Sequence, residues 1–224
     1  MSALDPTAQS PILTHGIYPY LAARCSPPDE LLTDLFEETR RKLGNLSVMQ
    51  IGAELGTLLT ILTASTGARR AIEVGTFTGY SSICIARGLP DDGHLLCCDV
   101  SEEWTSLARH YWKRAGLEDR IELRIGPAAA TIAALPTEPV YDIALIDADK
   151  TSYQTYYDLL LPRMRTGGLI LVDNVLQDGK VLDEQSPNAD VRAIQAFNEV
   201  VAADERVQAV LLAVSDGLTI ARKL

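Results

Sequence analysis

The sequence predicts a doubly wound α/β fold, in which a mostly parallel sheet of seven strands ends in an antiparallel hairpin. From Ala71 onward, short apolar runs of strand length alternate with helical patterns. This alternation is typical of a parallel sheet covered by helices on both faces. Near the end, Asp216 and Gly217 stand between two strand patterns, and Asp-Gly in that position is a strong hairpin signal. Extra helices are expected before the sheet.

The segment before the sheet is expected to form an arm followed by two helices. Residues 1–27 are rich in Pro, Ser and Ala and are interpreted as an N-terminal arm. Asp29 is placed to cap a helix that runs to about Lys42, and a second helix is predicted over 53–66. We therefore divide a single domain, residues 1–224, into an arm (1–27), N-terminal helices (28–67) and a sheet core (71–224).

Five strands are predicted before the hairpin, because each is a nearly continuous apolar run of the kind that buried parallel strands require. In order, these strands cover 71–75, 94–99, 120–125, 141–147 and 167–174. The helices between and after them are expected at 81–87, 102–115, 128–134, 152–164 and 191–203, followed by hairpin strands at 206–214 and 218–224.

Composition indicates a globular protein and excludes some partners. The chain has 224 residues, 47% of them hydrophobic, which is enough to bury one substantial core. Its net charge of -10 and the lack of a basic cluster argue against a nucleic-acid partner. No apolar run approaches the roughly 20 residues of a membrane-spanning helix, and the N-terminus lacks signal-peptide features. Cys25, Cys84, Cys97 and Cys98 fit no zinc spacing and are interpreted as reduced thiols of a cytoplasmic protein.

The first strand ends in a glycine turn, defined here as residues Gly75 to Gly79. Glycine permits a tight turn and lets the backbone approach a ligand closely. The spacing differs from the Gly-x-Gly-x-x-Gly of nicotinamide-binding proteins. Glu73 would repel a pyrophosphate and attract a ligand with an amino group, and Asp99 is placed to accept hydrogen bonds from ribose hydroxyls. The alternative is a purely structural turn.

Two further strands end in polar side chains. The fourth ends in the motif LIDADK, and the fifth ends in Asp173 and Asn174. The first, fourth and fifth strands of a doubly wound sheet are neighbours, so Asp147, Asp173 and Asn174 can converge. Two carboxylates and an amide oxygen suit Mg²⁺, Mn²⁺ or Ca²⁺. The alternative is that Asp147 or Asp149 caps a helix, that the second pair forms a turn, and that Lys150 is a surface lysine.

Five motifs together resemble the cation-dependent class I S-adenosylmethionine (SAM) O-methyltransferases, in a bacterial-type form of the caffeoyl-CoA and catechol O-methyltransferase family. The motifs are MQI, EVGTFTGYS, IDADK, VDN and SDGLTIA, spread over about residues 29–224. The resemblance implies the Rossmann-like methyltransferase fold, with SAM and Mg²⁺ (or Mn²⁺ or Ca²⁺) as cofactors. It also implies a homodimer that acts on small molecules, with no membrane partner.

The resemblance also implies roles for individual residues. Lys150 matches the catalytic lysine, and Asp147 shares in catalysis as a metal ligand. The implied metal ligands are Asp147, Asp173 and Asn174. The implied cofactor-binding residues are Met49, Ile51, Glu73, Gly75, Thr76, Tyr80, Ser81, Asp99, Ala128, Asp147 and Asp149.

These groups predict transfer of the SAM methyl group to a hydroxyl of a catechol, an aromatic acceptor with two adjacent hydroxyls. The cation is expected to bind both hydroxyl oxygens, with Lys150 as general base. A free catechol is preferred over a caffeoyl-CoA thioester, because Gln177 stands in the region where plant caffeoyl-CoA enzymes carry a Trp and no basic cluster awaits the phosphates of coenzyme A. Alternatives of other classes are a nicotinamide-dependent oxidoreductase and a non-catalytic cofactor-binding protein.

Several aromatic side chains are interpreted as packing residues. Tyr153, Tyr156 and Tyr157 share one face of the helix that follows Lys150, a spacing typical of a buried stripe. Trp104 and Trp112 lie about two turns apart on another helix. None of these five aromatic residues is assigned to the site.

Overall fold

A computed structural model describes residues 17–224 of the protein. Within them, there are seven strands, which form one sheet, and eight α-helices. The strands are β1 (Arg70–Val74), β2 (His94–Asp99), β3 (Ile121–Ile125), β4 (Tyr141–Ile146), β5 (Met164–Asp173), β6 (Val207–Leu212) and β7 (Leu218–Lys223). The α-helices are α1 (Ile17–Ala22), α2 (Glu30–Leu43), α3 (Ala53–Ser65), α4 (Tyr80–Gly88), α5 (Glu102–Arg114), α6 (Ala128–Ala133), α7 (Tyr153–Leu160) and α8 (Ala189–Ala203).

The sheet has the order β3-β2-β1-β4-β5-β7-β6, which confirms the predicted fold class. The five strands from β3 to β5 are parallel, whereas β7 is antiparallel to both β5 and β6. The connection from β3 to β4 returns the chain to the other side of β1. The carboxyl ends of β1, β2, β4 and β5 therefore meet at one edge, where open α/β sheets bind ligands.

Helices cover both faces of the sheet and give the molecule two apolar cores. One core packs α2, α3, α4 and α5 on one face, and the other packs α6, α7 and α8 on the opposite face. Successive strand residues alternate between the two cores, as Cys97 and Cys98 do in β2. Parallel strands buried on both faces must be apolar at nearly every position, which is why the strand patterns were readable from the sequence.

Helix α2 begins where the sequence predicts, because the side chain of Asp29 accepts a hydrogen bond from the backbone N–H of Leu32 at 3.0 Å. The helix after LIDADK is shorter than predicted. Pro162 lacks the N–H that a continuing helix needs, so α7 ends at Leu160 and a short 3₁₀ turn follows. Strand β5 therefore begins at Met164, three residues earlier than the predicted boundary at Gly167.

The N-terminal arm is described only in part. Residues 1–16 lie outside the described residues, so the prediction for them is not tested by the structure. Within residues 17–224, no single helix is long and apolar enough to cross a membrane. One sharply bent pair of helical segments, Glu30–Met49 and Ala53–Ser65, has sufficient length and apolar composition only when the two are taken together.

Candidate active site

A cavity of about 1260 Å³ opens at the carboxyl edge of the sheet. It brings together every residue that the sequence analysis assigned to the site, with the exception of Glu73. These lining residues are Met49, Ile51, Gly75, Thr76, Tyr80, Ser81, Asp99, Ala128, Asp147, Asp149, Lys150, Asp173 and Asn174.

The glycine turn has an unusual backbone. Gly75 and Gly79 have φ values of 90° and 91°, and Phe77 between them also has a positive φ of 52°. A non-glycine residue in the left-handed region costs roughly 1–2 kcal/mol. The carboxylate of Asp99 offsets this cost, since its Oδ2 accepts hydrogen bonds from the N–H groups of Thr76 at 2.9 Å and Phe77 at 2.8 Å. Asp99 thus holds the turn in shape and keeps acceptor capacity for a ligand.

Gly75 lies where the ends of three strands converge. Its N–H donates to the carbonyl oxygen of Cys98 at 2.9 Å, and the N–H of Asp147 donates to the carbonyl oxygen of Val74 at 2.8 Å. A Cβ atom added at Gly75 would overlap the backbone carbonyl of Asp147. Only glycine lets the first turn approach the tip of β4 this closely.

Glu73 is fully buried and does not line the cavity. Burial raises the pKa of its carboxyl to about 7. Its Oε2 accepts a hydrogen bond from the thiol of Cys97 at 3.3 Å, and its Oε1 has no hydrogen-bond partner among the described residues. A direct contact between Glu73 and the cofactor stays a prediction.

The tips of β4 and β5 form an acid–lysine cluster, defined as Asp147, Lys150, Asp173 and Asn174. The ammonium of Lys150 donates to Oδ1 of Asp147 at 3.2 Å and to Oδ1 of Asn174 at 2.8 Å. Asn174 has a φ of 58°, a left-handed conformation that Asn tolerates better than most residues. Lys150 and Asp147 are each less than a fifth exposed, so their attraction is only partly screened by solvent.

The donor set of this cluster fits a hard divalent cation. The ammonium of Lys150 lies between oxygens of Asp147 and Asn174, which means that these two oxygens already face a single cationic centre. Among residues 17–224, no group of three or more His, Cys, Asp or Glu side chains is placed to hold a metal. A cation here would therefore need the amide oxygen of Asn174 in addition to Asp147 and Asp173, a set that suits Mg²⁺ or Mn²⁺.

Tyr153 belongs to the site although its spacing predicted only packing. Its hydroxyl accepts a hydrogen bond from the ammonium of Lys150 at 2.6 Å and donates one to the carbonyl oxygen of Asp173 at 3.0 Å. Burial raises the pKa of Tyr153 well above its ordinary value, so the hydroxyl keeps its proton. Its ring also packs edge-on against Phe197, in agreement with the packing prediction. Tyr153 therefore orients Lys150.

Two more aromatic residues that the sequence analysis assigned to packing line the cavity. The hydroxyl of Tyr156 donates to Oδ1 of Asp149 at 2.5 Å. Trp104 contacts Phe77 edge-to-face, with ring centroids 5.4 Å apart. Tyr156 lies seven residues after Asp149, a separation of about two helical turns that could have predicted this contact.

The cavity is strongly acidic. Among the described residues that line it are eight carboxylates and one ammonium, that of Lys150. The carboxylates are Glu54, Asp99, Asp147, Asp149, Asp173, Asp178, Asp190 and Asp216. Clustered charge of one sign in a cleft attracts ligands of opposite sign, so the cavity favours cationic ligands over anionic ones.

Asp173 is expected to make the stability of the cation-free protein depend on pH. Burial and then the nearby charge of Asp147 raise the pKa of Asp173 to about 8, whereas an unfolded Asp has a pKa of about 3.9. At a pH between these two pKa values, the folded state keeps a proton on Asp173 that the unfolded state has lost. The free energy of unfolding is therefore expected to fall as pH rises from about 4 to about 8. Urea unfolding in EDTA at several pH values measures this slope.

Asp173→Asn is the matched variant for this measurement, because the amide oxygen can still accept the hydrogen bond that Asn174 donates at 2.8 Å. The variant is expected to flatten the slope, most clearly between pH 7 and 8, above the pKa of about 7 at Glu73. At pH 8 we expect it to raise the Tm by about 2–4 °C for each kcal/mol regained. Equal slopes for parent and variant would contradict the assignment of the proton to Asp173.

Comparison with known proteins agrees with the fold and the motifs. The sequence model of the O-methyltransferase family matches residues 23–224. Probable caffeoyl-CoA O-methyltransferase 2 of Dictyostelium discoideum is 42% identical over 184 residues, which cover 79% of this chain and 78% of that protein. An O-methyltransferase from Bacillus cereus in complex with S-adenosylhomocysteine (SAH) has a TM-score of 0.84 and 33% identity over 93% of this chain and 97% of its own. TomG from Streptomyces achromogenes, an O-methyltransferase of tomaymycin synthesis in complex with SAM, has a TM-score of 0.84 and 28% identity over 100% and 99%. The chain therefore belongs to the O-methyltransferase family that its motifs predicted.

Proposed function

We propose that this O-methyltransferase transfers the SAM methyl group to one hydroxyl of a catechol-type acceptor, in a reaction that depends on a divalent cation. The observation that carries the proposal is that the acid–lysine cluster and the glycine turn line the same cavity. A methyl donor at the turn and a hydroxyl at Lys150 would thus lie within one enclosure, which is the main requirement for a direct transfer between them.

Asp147, Asp173 and Asn174 would hold the cation. When bound, a divalent cation supplies positive charge that stabilises a phenolate, and it can orient two adjacent hydroxyl oxygens. The raised pKa of Asp173 supports this assignment, because a buried carboxylate beside Asp147 needs a positive partner to ionise at neutral pH.

Lys150 acts as the general base in its neutral amine form, after its ammonium has released one proton to solvent through the open cavity. The lone pair of Nζ then accepts the proton of the acceptor hydroxyl, and the phenolate oxygen attacks the methyl carbon. The carbon–sulfur bond breaks as the oxygen–carbon bond forms, and the electron pair stays on sulfur, giving SAH and an aryl methyl ether. Tyr153 holds the amine at the cluster through its 2.6 Å hydrogen bond, so Lys150 is already positioned when the acceptor arrives.

The charge of the cavity favours a free catechol over a coenzyme A thioester. Among the described residues that line the cavity, eight carboxyl side chains face one lysine, and coenzyme A would add several phosphate charges. Gln177, which stands near the metal-ligand candidates, uses its amide Nε2 to hold the carbonyl oxygen of Asn174 at 3.0 Å. It therefore supports the loop and offers no aromatic wall to a large acyl group.

Membership of the O-methyltransferase family excludes the nicotinamide-dependent alternative, and SAM-bound and SAH-bound neighbours support SAM as the cofactor. We also propose a homodimer in the cytoplasm, on the family resemblance and on four free thiols, of which Cys84, Cys97 and Cys98 are buried. The non-catalytic alternative predicts cofactor binding without transfer.

A labelled-methyl assay tests the proposal directly. Catechol, phenol and caffeoyl-CoA are offered as acceptors with Mg²⁺, and the catechol reaction is repeated in EDTA. We expect transfer to catechol, little transfer to phenol or the thioester, and a loss of about 100-fold or more in EDTA, because the charge of a bound cation contributes several kcal/mol to such reactions. Mg²⁺ or Mn²⁺ should restore the rate.

Asp147→Asn is the site variant, and Asp178→Asn is its control, since Asp178 lines the same cavity on an exposed turn outside the cluster. We expect Asp147→Asn to lose Mn²⁺ binding, measured by electron paramagnetic resonance, and to leave SAH binding largely intact. The control should retain both. Full turnover in EDTA would refute the cation, and equal rates on phenol and catechol would refute the adjacent-diol requirement.

A further inference from the structure

A buried hydrogen bond joins helix α2 to the glycine turn. The hydroxyl of Thr39 lies 3.0 Å from that of Thr78, and both side chains are fully buried. Thr39 does not line the cavity, whereas Thr78 does. The bond therefore connects the outer helical layer to the segment that faces the cofactor.

The turn needs support from its surroundings because its backbone is costly. Three of its five residues have positive φ, and one of these is the non-glycine Phe77. Asp99 holds the turn through the N–H groups of Thr76 and Phe77. Thr39 adds a second contact to the turn, at Thr78.

Helix α2 is itself fixed to the helices of the sheet core. Its N-cap Asp29 contacts Arg87 of α4 at 2.7 Å. Further along, Asp34 contacts Arg114 at 2.6 Å, and Glu38 accepts a hydrogen bond from the hydroxyl of Tyr111 at 2.8 Å. These surface contacts are individually weak, but together they set the helix register that places Thr39 against the turn.

We propose that Thr39 is a positioning residue for SAM binding, which acts through Thr78 to hold the glycine turn in its binding conformation. The inference rests on SAM being the cofactor of this site. A protein whose binding-competent conformation is only fractionally populated binds its ligand more weakly by that fraction. Loss of the Thr39 hydroxyl should therefore weaken cofactor affinity without changing the chemical step.

The test compares SAH binding by calorimetry in the full chain and five variants, one of which is a control. Thr39→Val removes the hydroxyl at constant volume and is expected to raise the Kd for SAH about 3- to 10-fold, the effect of one buried neutral hydrogen bond. Thr39→Ser keeps the hydroxyl and should bind like the parent. In a Thr78→Val background, Thr39→Val should have no further effect, because its partner is already gone.

Thr63→Val is the matched control. Thr63 is equally buried, but its hydroxyl donates within its own helix to the carbonyl of Leu59 at 2.7 Å. The control is expected to lose stability and keep SAH affinity. Kinetically, Thr39→Val should raise the KM for SAM and leave kcat at saturating SAM unchanged.

An unchanged Kd in Thr39→Val, an equal loss in the Thr63→Val control, or full additivity with Thr78→Val would each overturn the inference. Failure of the parent protein to bind SAH would instead contradict SAM as the cofactor, and the inference would fall with it.

Discussion

Replacing Lys150 by methionine is expected to lower kcat on catechol by about 10²- to 10⁴-fold, the usual contribution of a general base. Methionine matches the unbranched apolar part of the lysine side chain and removes the amine that lies between Asp147, Asn174 and Tyr153. Affinity for SAH should change little, because the glycine turn is untouched. Single-turnover kinetics at saturating SAM measure the chemical step directly.

Lys180→Met is the control for this variant. Lys180 is a neighbouring lysine with an exposed side chain, and it pairs with Asp178 at 3.0 Å. Exposed pairs of this kind contribute about 0–1 kcal/mol to stability, so the control should behave like the parent. If the kcat of Lys150→Met were within about fivefold of the parent value, Lys150 would not be the general base, since that ratio is below the range for general-base catalysis.

Gly75→Ala is expected to abolish SAH binding and to lower the free energy of unfolding by about 3 kcal/mol or more, from left-handed strain and overpacking together. The added Cβ would overlap the carbonyl of Asp147, so β1 and β4 must separate at their tips. That movement would displace the glycine turn and the acid–lysine cluster together. Urea unfolding and SAH calorimetry test the two effects separately.

Gly67→Ala isolates the strain from the clash. Gly67 also has a positive φ, 62°, but a Cβ there would meet nothing within 4 Å. It should therefore cost only the roughly 1–2 kcal/mol of left-handed strain and leave SAH binding intact. If Gly75→Ala lowered stability and SAH affinity no more than Gly67→Ala, the close approach of β1 and β4 would not be required for folding or cofactor binding.

The sequence predicted the centre of the sheet well because β1, β2, β4 and the second half of β5 are buried on both faces. A run such as AIEV or LILV cannot be a surface helix, and polar residues at the ends of such runs must gather at one edge. The acids Asp99, Asp147 and Asp173 were predictable for that reason. The end of α7 was not, because a terminal 3₁₀ turn at Pro162 preserves the apolar spacing of a helix.

The orientation of side chains was the part that spacing could not give. Tyr153 and Tyr156 show the periodicity of a buried stripe, and both are indeed mostly buried. Their hydroxyls nevertheless form hydrogen bonds with Lys150 and Asp149. The sequence pattern alone does not distinguish a tyrosine that only packs from one whose hydroxyl also contacts a site residue. Glu73 is the converse case, because its place beside the turn predicted a carboxylate that attracts a ligand with an amino group, and the structure buries it.

The position of β7 has a consequence for how the protein is made. This last strand lies between β5 and β6, and the loop after Asn174 is bound to its hairpin, with Val175 N donating to the Gly217 carbonyl at 3.2 Å and Leu176 N to that of Asp216 at 2.9 Å. A ribosome delivers the glycine turn early and this hairpin late. The nascent chain therefore cannot fix the loop after Asn174, at the edge of its cavity, until the hairpin has been translated, and chains that lack the hairpin are not expected to transfer the methyl group.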